Sequence, residues 1–115
     1  MRQCEVSMTK ESYVMVIIAT STQEEAEKIG KTLVEEKLAA SANIIPSIQS
    51  FFFWKGEFHN ISESIVLFNT RGDLFEKLKE RVHELHSYEL PEVIALPILA
   101  GSSEFLAWIK ENTTQ

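Results

Sequence analysis

The chain has 115 residues, 44% of them apolar and 24% charged, the balance of one ordinary globular domain rather than a disordered or fibrous chain. Its formal net charge of -6 comes without a Lys/Arg block, which argues against a nucleic-acid partner, because phosphate binding needs a basic patch. The single cysteine, Cys4, can form neither an internal disulfide nor a cysteine metal cluster.

Residues 1–12 lack periodicity and read as a flexible leader, with residues 13–115 as a single domain. The β-branched run YVMVIIAT (13–20) predicts a strand buried on both faces. Helix-start chemistry follows. Ser21 with Glu24, or Thr22 with Glu25, suits a capping box. Ala26, Ile29, Leu33 and Val34 then form an apolar stripe against a wet face of Glu24, Glu25, Lys28, Lys31 and Glu35. Residues 42–55 predict a long strand interrupted at Pro46, which marks an edge or a bulge because proline donates no ladder hydrogen bond. In this strand Phe52 and Trp54 share one face, and Phe51 and Phe53 the other. Lys55-Gly56-Glu57 reads as a turn and 58–70 as the returning strand. A second helix over 73–86 stacks Leu74, Leu78, Val82 and Leu85. Residues 92–98 predict another buried strand, and 102–113 a terminal helix capped by Ser102 or Ser103.

The order β-α-β-β-α-β plus a terminal helix is α+β: the ferredoxin-like split βαβ arrangement with a long hairpin. Two helices then cover one face of an antiparallel sheet. The other face, lined from YVMVIIA, SFFFW and EVIALP, would be an apolar patch unusual for a monomer, so another subunit is the expected cover. No apolar run approaches the roughly 20 residues that span a bilayer, and residues 1–11 hold no apolar segment of the signal-peptide kind. No membrane partner and a cytoplasmic location are expected.

No nucleophile elbow, P-loop, dinucleotide fingerprint or Cys–His pair occurs. A hydrolase built on His86 with Glu89 or Glu92 would lack a nucleophile–base–orienter chain, so no enzyme is expected. Glu80, His83 and His86 recur at i, i+3 and i+6, but turning the Leu78/Val82/Leu85 stripe inward leaves His83 on the wet side. His86, at the helix end, suits either a dipole-stabilised imidazolium or a ligand. Tyr88 and Pro91 read as a turn that sets the entry of the last strand, while Glu89 and Glu92 serve that turn or a polar cleft equally well. Phe52, Trp54, Lys55 and Tyr88 are the expected interface or cleft residues.

Three segments carry a resemblance: LVEEKLAASANIIPSIQSFFFWKGE, HSYELPEVIALPI and FLAWIKENT. Linked in this order they resemble the CutA family of divalent-cation tolerance proteins, over nearly the whole chain from Val14 to Thr113. The resemblance implies a ferredoxin-like fold, a homotrimer whose hairpin packs around a neighbour, and a part in tolerance of divalent metal ions. The alternative is a small-ligand sensor of the PII type, which shares the trimeric ferredoxin-like architecture and binds in intersubunit clefts. Four departures from the family pattern are Ser41 for a cysteine, Asn69 for a lysine, Ser87 for a proline, and Ile18 with Leu85-His86 where some members carry a cysteine and paired histidines. Without those thiols a soft-metal site is not expected. The donors that remain, His86, Glu89 and Glu92, imply weak binding of a divalent cation, copper or zinc, and no firm cofactor.

Overall fold

In the computed structural model the chain runs β1 (Tyr13–Thr20), α1 (Gln23–Glu35), β2 (Ser41–Trp54), β3 (Glu57–Arg71), a 3-10 turn (Gly72–Leu74), α2 (Phe75–Leu85), β4 (Val93–Pro97) and α3 (Ser103–Glu111). Residues 8, 9 and 11–115 are described; Cys4 and most of the leader lie outside them. The leader is tied down at its end. The Gly72 N–H donates to the Ser12 carbonyl at 2.8 Å and the Asp73 N–H to the Thr9 carbonyl at 3.1 Å.

The four strands form one antiparallel sheet in the order β2-β3-β1-β4, the ferredoxin-like topology expected from the element order. The side chains of Val14, Val16, Ile18, Val66 and Phe68 point to one face. There they meet Ala26, Ile29 and Leu33 of α1 and Leu78 and Val82 of α2, all buried. The opposite face of the same strands carries Met15, Ile17 and Leu67, with Leu96 beside Met15 and Ile94 beside Ile17. Among the described residues this face is left partly open: Met15, Ile17 and Leu67 are half-buried, and Ile94 is 46% and Leu96 47% exposed. Within a single chain the strand over 13–20 is therefore buried on one face and half-buried on the other, and that over 92–98 is half-buried on one face and exposed on the other, a correction to the full burial expected from their apolar composition. An unbroken apolar run records that both faces shun water, not which chain covers them.

Local chemistry sets the helix ends. Thr22 is the N-cap of α1, its Oγ1 accepting from the Glu25 N–H at 3.1 Å, and Ser102 caps α3 in the same way from Phe105. Helix α1 ends in a Schellman motif: Leu38 N–H bonds to the Leu33 carbonyl and Lys37 N–H to the Val34 carbonyl. Lys37 occupies the left-handed position of that motif with φ of 61°, where glycine is the usual residue. The second helix starts two residues later than the 73–86 reading, because Gly72–Leu74 tightens into the 3-10 turn. A bidentate pair, Arg81 to Glu36 at 2.9 Å on both arms, joins α2 to the end of α1.

β2 is an edge strand, as Pro46 requires, and it also carries a register shift between Ile45 and Ile48. The carbonyl of Pro46 within this bulge accepts from Ser64 Oγ at 2.6 Å. The hairpin closes at Lys55-Gly56, with φ of 51° and 80°, after a last rung of Trp54 opposite Glu57. Two consecutive positive φ values are what a two-residue type I′ turn demands. Replacing exposed Lys37 by glycine removes the left-handed strain without losing packing. Lys37→Gly is expected to raise stability by about 1 kcal/mol, read as a higher midpoint in urea denaturation.

Candidate functional site

The predicted site residues gather around the loop from His86 to Glu92, between α2 and β4. Helix α2 stops at Leu85 because His86 turns extended, with ψ of 142°, while its N–H still donates to the Val82 carbonyl. The His86 side chain then folds beneath the loop and is fully buried. Its Nε2 lies 2.6 Å from the Ala19 carbonyl oxygen, at the end of β1. Its Nδ1 lies 3.0 Å from the backbone nitrogen of Tyr88. The Tyr88 ring packs beside the imidazole, with centroids 4.8 Å apart.

Two carboxylates that the pattern reading left out complete the arrangement. Glu63 in β3 is only 8% exposed and accepts from the Tyr88 hydroxyl at 2.8 Å. Burial, then that hydrogen bond to a carboxylate, pushes the Tyr88 phenol above its ordinary range. Glu25, which the helical pattern assigns to the wet face of α1, instead turns toward the loop. One oxygen accepts from Ser21 N–H and Oγ at 3.2 Å, and the other from the Ser87 N–H at 2.7 Å. Burial opposes ionisation of Glu25, but the hydrogen bonds from Ser87 and Ser21 outweigh it and hold the carboxyl below its ordinary value. The signal for Glu63 was in the sequence: an acid interrupts the apolar parity Ile61, Ile65, Leu67 of β3. No comparable signal marks Glu25 as anything beyond a capping residue.

The remaining predicted residues line the outside. Glu89 is 73% exposed at its side chain and pairs with Lys55 at 3.2 Å, an exposed ion pair worth little in stability. Lys55 Nζ stands 5.5 Å from the Trp54 ring centre. Glu92 is exposed, and His83 is exposed on the wet side of α2. Phe52 stacks on His59 across the hairpin, with centroids 5.2 Å apart. The loop thus brings together His86, Tyr88, Glu63 and Glu25, and joins Glu89 to Lys55. It does not bring His86, Glu89 and Glu92 into one constellation. Among the described residues no three His, Cys, Asp or Glu side chains converge into a metal-holding group.

Both nitrogens of His86 are engaged by groups of fixed character, so the chemistry of a free imidazole ligand is not offered at this position within one chain. What the arrangement does supply is a clasp, in which one loop is tied to the ends of β1, α1 and the base of the hairpin. Because the Glu25 carboxyl is held below its usual value, the stability it adds is present above about pH 4.5 and is lost as pH falls through its folded-state value. Glu25→Gln is expected to lose about 1–2 kcal/mol at neutral pH. The gap from the unmodified protein should narrow as pH falls below the ordinary carboxyl value and close once it is below the folded-state value, as followed by urea denaturation across a pH series.

This geometry can be set beside known proteins. A family profile described as "CutA1 divalent ion tolerance protein" matches residues 14–112. The divalent-cation tolerance protein CutA of Thermus thermophilus is 46% identical over 99 residues, covering 86% of this chain and 96% of that protein. A chloroplastic protein CutA of Arabidopsis thaliana is 41% identical over 100 residues, covering 87% of this chain and 55% of that protein. The solved structure of the periplasmic divalent cation tolerance protein CutA from Archaeoglobus fulgidus superposes with a TM-score of 0.86 at 39% identity, covering 89% of this chain and 99% of that one. One relative is named for a chloroplast and another for the periplasm, so kinship does not carry the cytoplasmic expectation over to this chain. Among the described residues no helix is long and apolar enough to cross a membrane. With matched positions running from the first strand to the end of the last helix, and the same sheet topology beneath them, the chain belongs to the CutA1 family of divalent ion tolerance proteins.

Proposed function

We propose that this protein serves divalent-cation tolerance as a homotrimer, holding divalent ions weakly through carboxylates rather than tightly through thiolates. The observation that carries the assembly is the partly open sheet face. Ile45, Ile94 and Leu96 are each more than 40% exposed there, with Phe52 at 37% farther out on the same side of the hairpin. A contiguous apolar surface of this kind is unusual on a monomer and is the expected core of an interface between copies. The names of the relatives support the tolerance role.

For the ion, the donors open to solvent are the carboxylates of Glu89 and Glu92, on the same loop. Oxygen donors suit hard or borderline cations, and two exposed carboxylates hold them weakly and with little selectivity. Copper(II) and zinc are the ions proposed. Ser41 stands beside Asn69, its Oγ accepting from Asn69 Nδ2 at 3.0 Å, so this strand position holds a hydroxyl.

Two experiments test the reading. Sedimentation of the full chain over a wide dilution range is expected to show a trimer at micromolar concentration. Leu96→Asp, which places a charge on the partly open face, is expected to weaken assembly at least about tenfold, or about 1.4 kcal/mol. A folded monomer at micromolar concentration in the unmodified protein overturns the trimer. Calorimetry with copper(II) and zinc salts is expected to give affinities no tighter than about micromolar, and Glu89→Gln with Glu92→Gln to abolish them. A nanomolar copper(I) site that survives Cys4→Ser overturns the carboxylate reading.

A further inference from the structure

We infer that His86 is a positioning residue: a neutral imidazole, protonated on Nε2, that locks the loop from His86 to Glu92 onto the end of β1 and takes no part in holding a cation. Only the exclusion from cation binding rests on the proposed function; the assignment of the ring stands on geometry alone. A backbone carbonyl can only accept, so the nitrogen 2.6 Å from the Ala19 oxygen must carry a proton. A backbone N–H can only donate, so the nitrogen facing the Tyr88 amide at 3.0 Å must offer its lone pair. One tautomer satisfies both partners. The helix-end imidazolium that sequence reasoning allowed would set two N–H groups face to face at Tyr88. A ligand role would need a lone pair that is already committed to Tyr88, on a side chain that is fully buried.

The groups packed around the ring agree with a positioning role. Glu25 approaches Nδ1 no closer than 3.8 Å and spends that oxygen on the Ser87 N–H, the next residue of the loop. The Tyr88 ring covers the imidazole, and its hydroxyl is anchored to buried Glu63. Residues 86, 87 and 88 are therefore each held by a different element: β1, α1 and β3. Glu89 leaves this anchored stretch and reaches Lys55 at the hairpin turn. His86 acts on Glu89 only through the backbone that it orders.

Nitrogen NMR of the imidazole side chains in the full, assembled protein tests the assignment, with zinc chloride alone as the cation. The expected spectrum shows the His86 proton on Nε2, with both ring signals unmoved through the zinc titration. In His86→Gln, whose amide can still donate to the Ala19 carbonyl, zinc affinity is expected to stay within about twofold. Exchange of the Tyr88 amide hydrogen should quicken selectively over core amides such as that of Phe68. A purely space-filling ring would leave that contrast unchanged. A proton on Nδ1, ring signals that shift as zinc binds, or an affinity loss of about tenfold or more in His86→Gln overturns the inference. Should the glutamine variant fail to fold, the unmodified protein still decides through the tautomer and its response to zinc. If the unmodified protein binds no zinc at all, the carboxylate reading of function falls, while an Nε2-protonated ring unmoved by zinc still upholds the positioning role.

Discussion

The extra residue that β2 inserts between Ile45 and Ile48 governs what the rest of the molecule can present. Side chains alternate faces along a strand, so one inserted residue exchanges the two faces for everything beyond it. Before the bulge, Ala42 and Ile44 face the helices and Ile45 faces away. After it, Ile48, Phe52 and Trp54 continue the face of Ile45, while Phe51 and Phe53 pass to the helix side. Those two stand beyond the reach of the helices with Phe58, at 61%, 74% and 59% exposure, and pack on one another across the hairpin. Proline at the insertion is what makes the exchange cheap: on an edge strand its missing N–H breaks no ladder, and Ser64 satisfies its carbonyl.

Glu63 lies on the same face as Ile65 and Leu67 by the alternation of β3, and the bulge sets Ile48 opposite it. A carboxylate there, nearly removed from water, would be costly without partners. The loop after α2 supplies the Tyr88 hydroxyl, and its own path is fixed by His86 and Glu25. Each buried polar group in this cluster has a partner of the right sense, which is the condition for such a network to rigidify rather than destabilise. The outcome is a stiff corner where the hairpin, the first helix and the final strand meet.

Family membership and donor chemistry lead to complementary statements. Kinship associates the chain with divalent ion tolerance. The side chains constrain how an ion could be held: Ser41 and Ile18 offer no thiolate, and the buried imidazole is committed to backbone. Oxygen donors at the surface give weak, fast-exchanging contact with ions, whereas thiolate sites capture soft ions tightly.

Periodicity and cap chemistry were enough to determine the elements, their order and the helix-facing core, because those features are local: the Thr22 cap, the Leu78/Val82 stripe and the two-sided aromatic strand all follow from residues close in the chain. The three linked segments likewise point to the family by themselves, since each is a run of consecutive residues. The role of His86 could not be read in this way, since its two partners are a carbonyl 67 residues earlier and the amide of a loop residue whose path is set by other elements. The same holds for Glu25 and Glu63, whose partners in the loop lie 62 and 25 residues away. Hydrophobic pattern reports how strongly a face avoids water, and it does so from the sequence alone; which lone pairs are spent, and on what, is decided only when the tertiary structure brings distant backbone groups within hydrogen-bond reach.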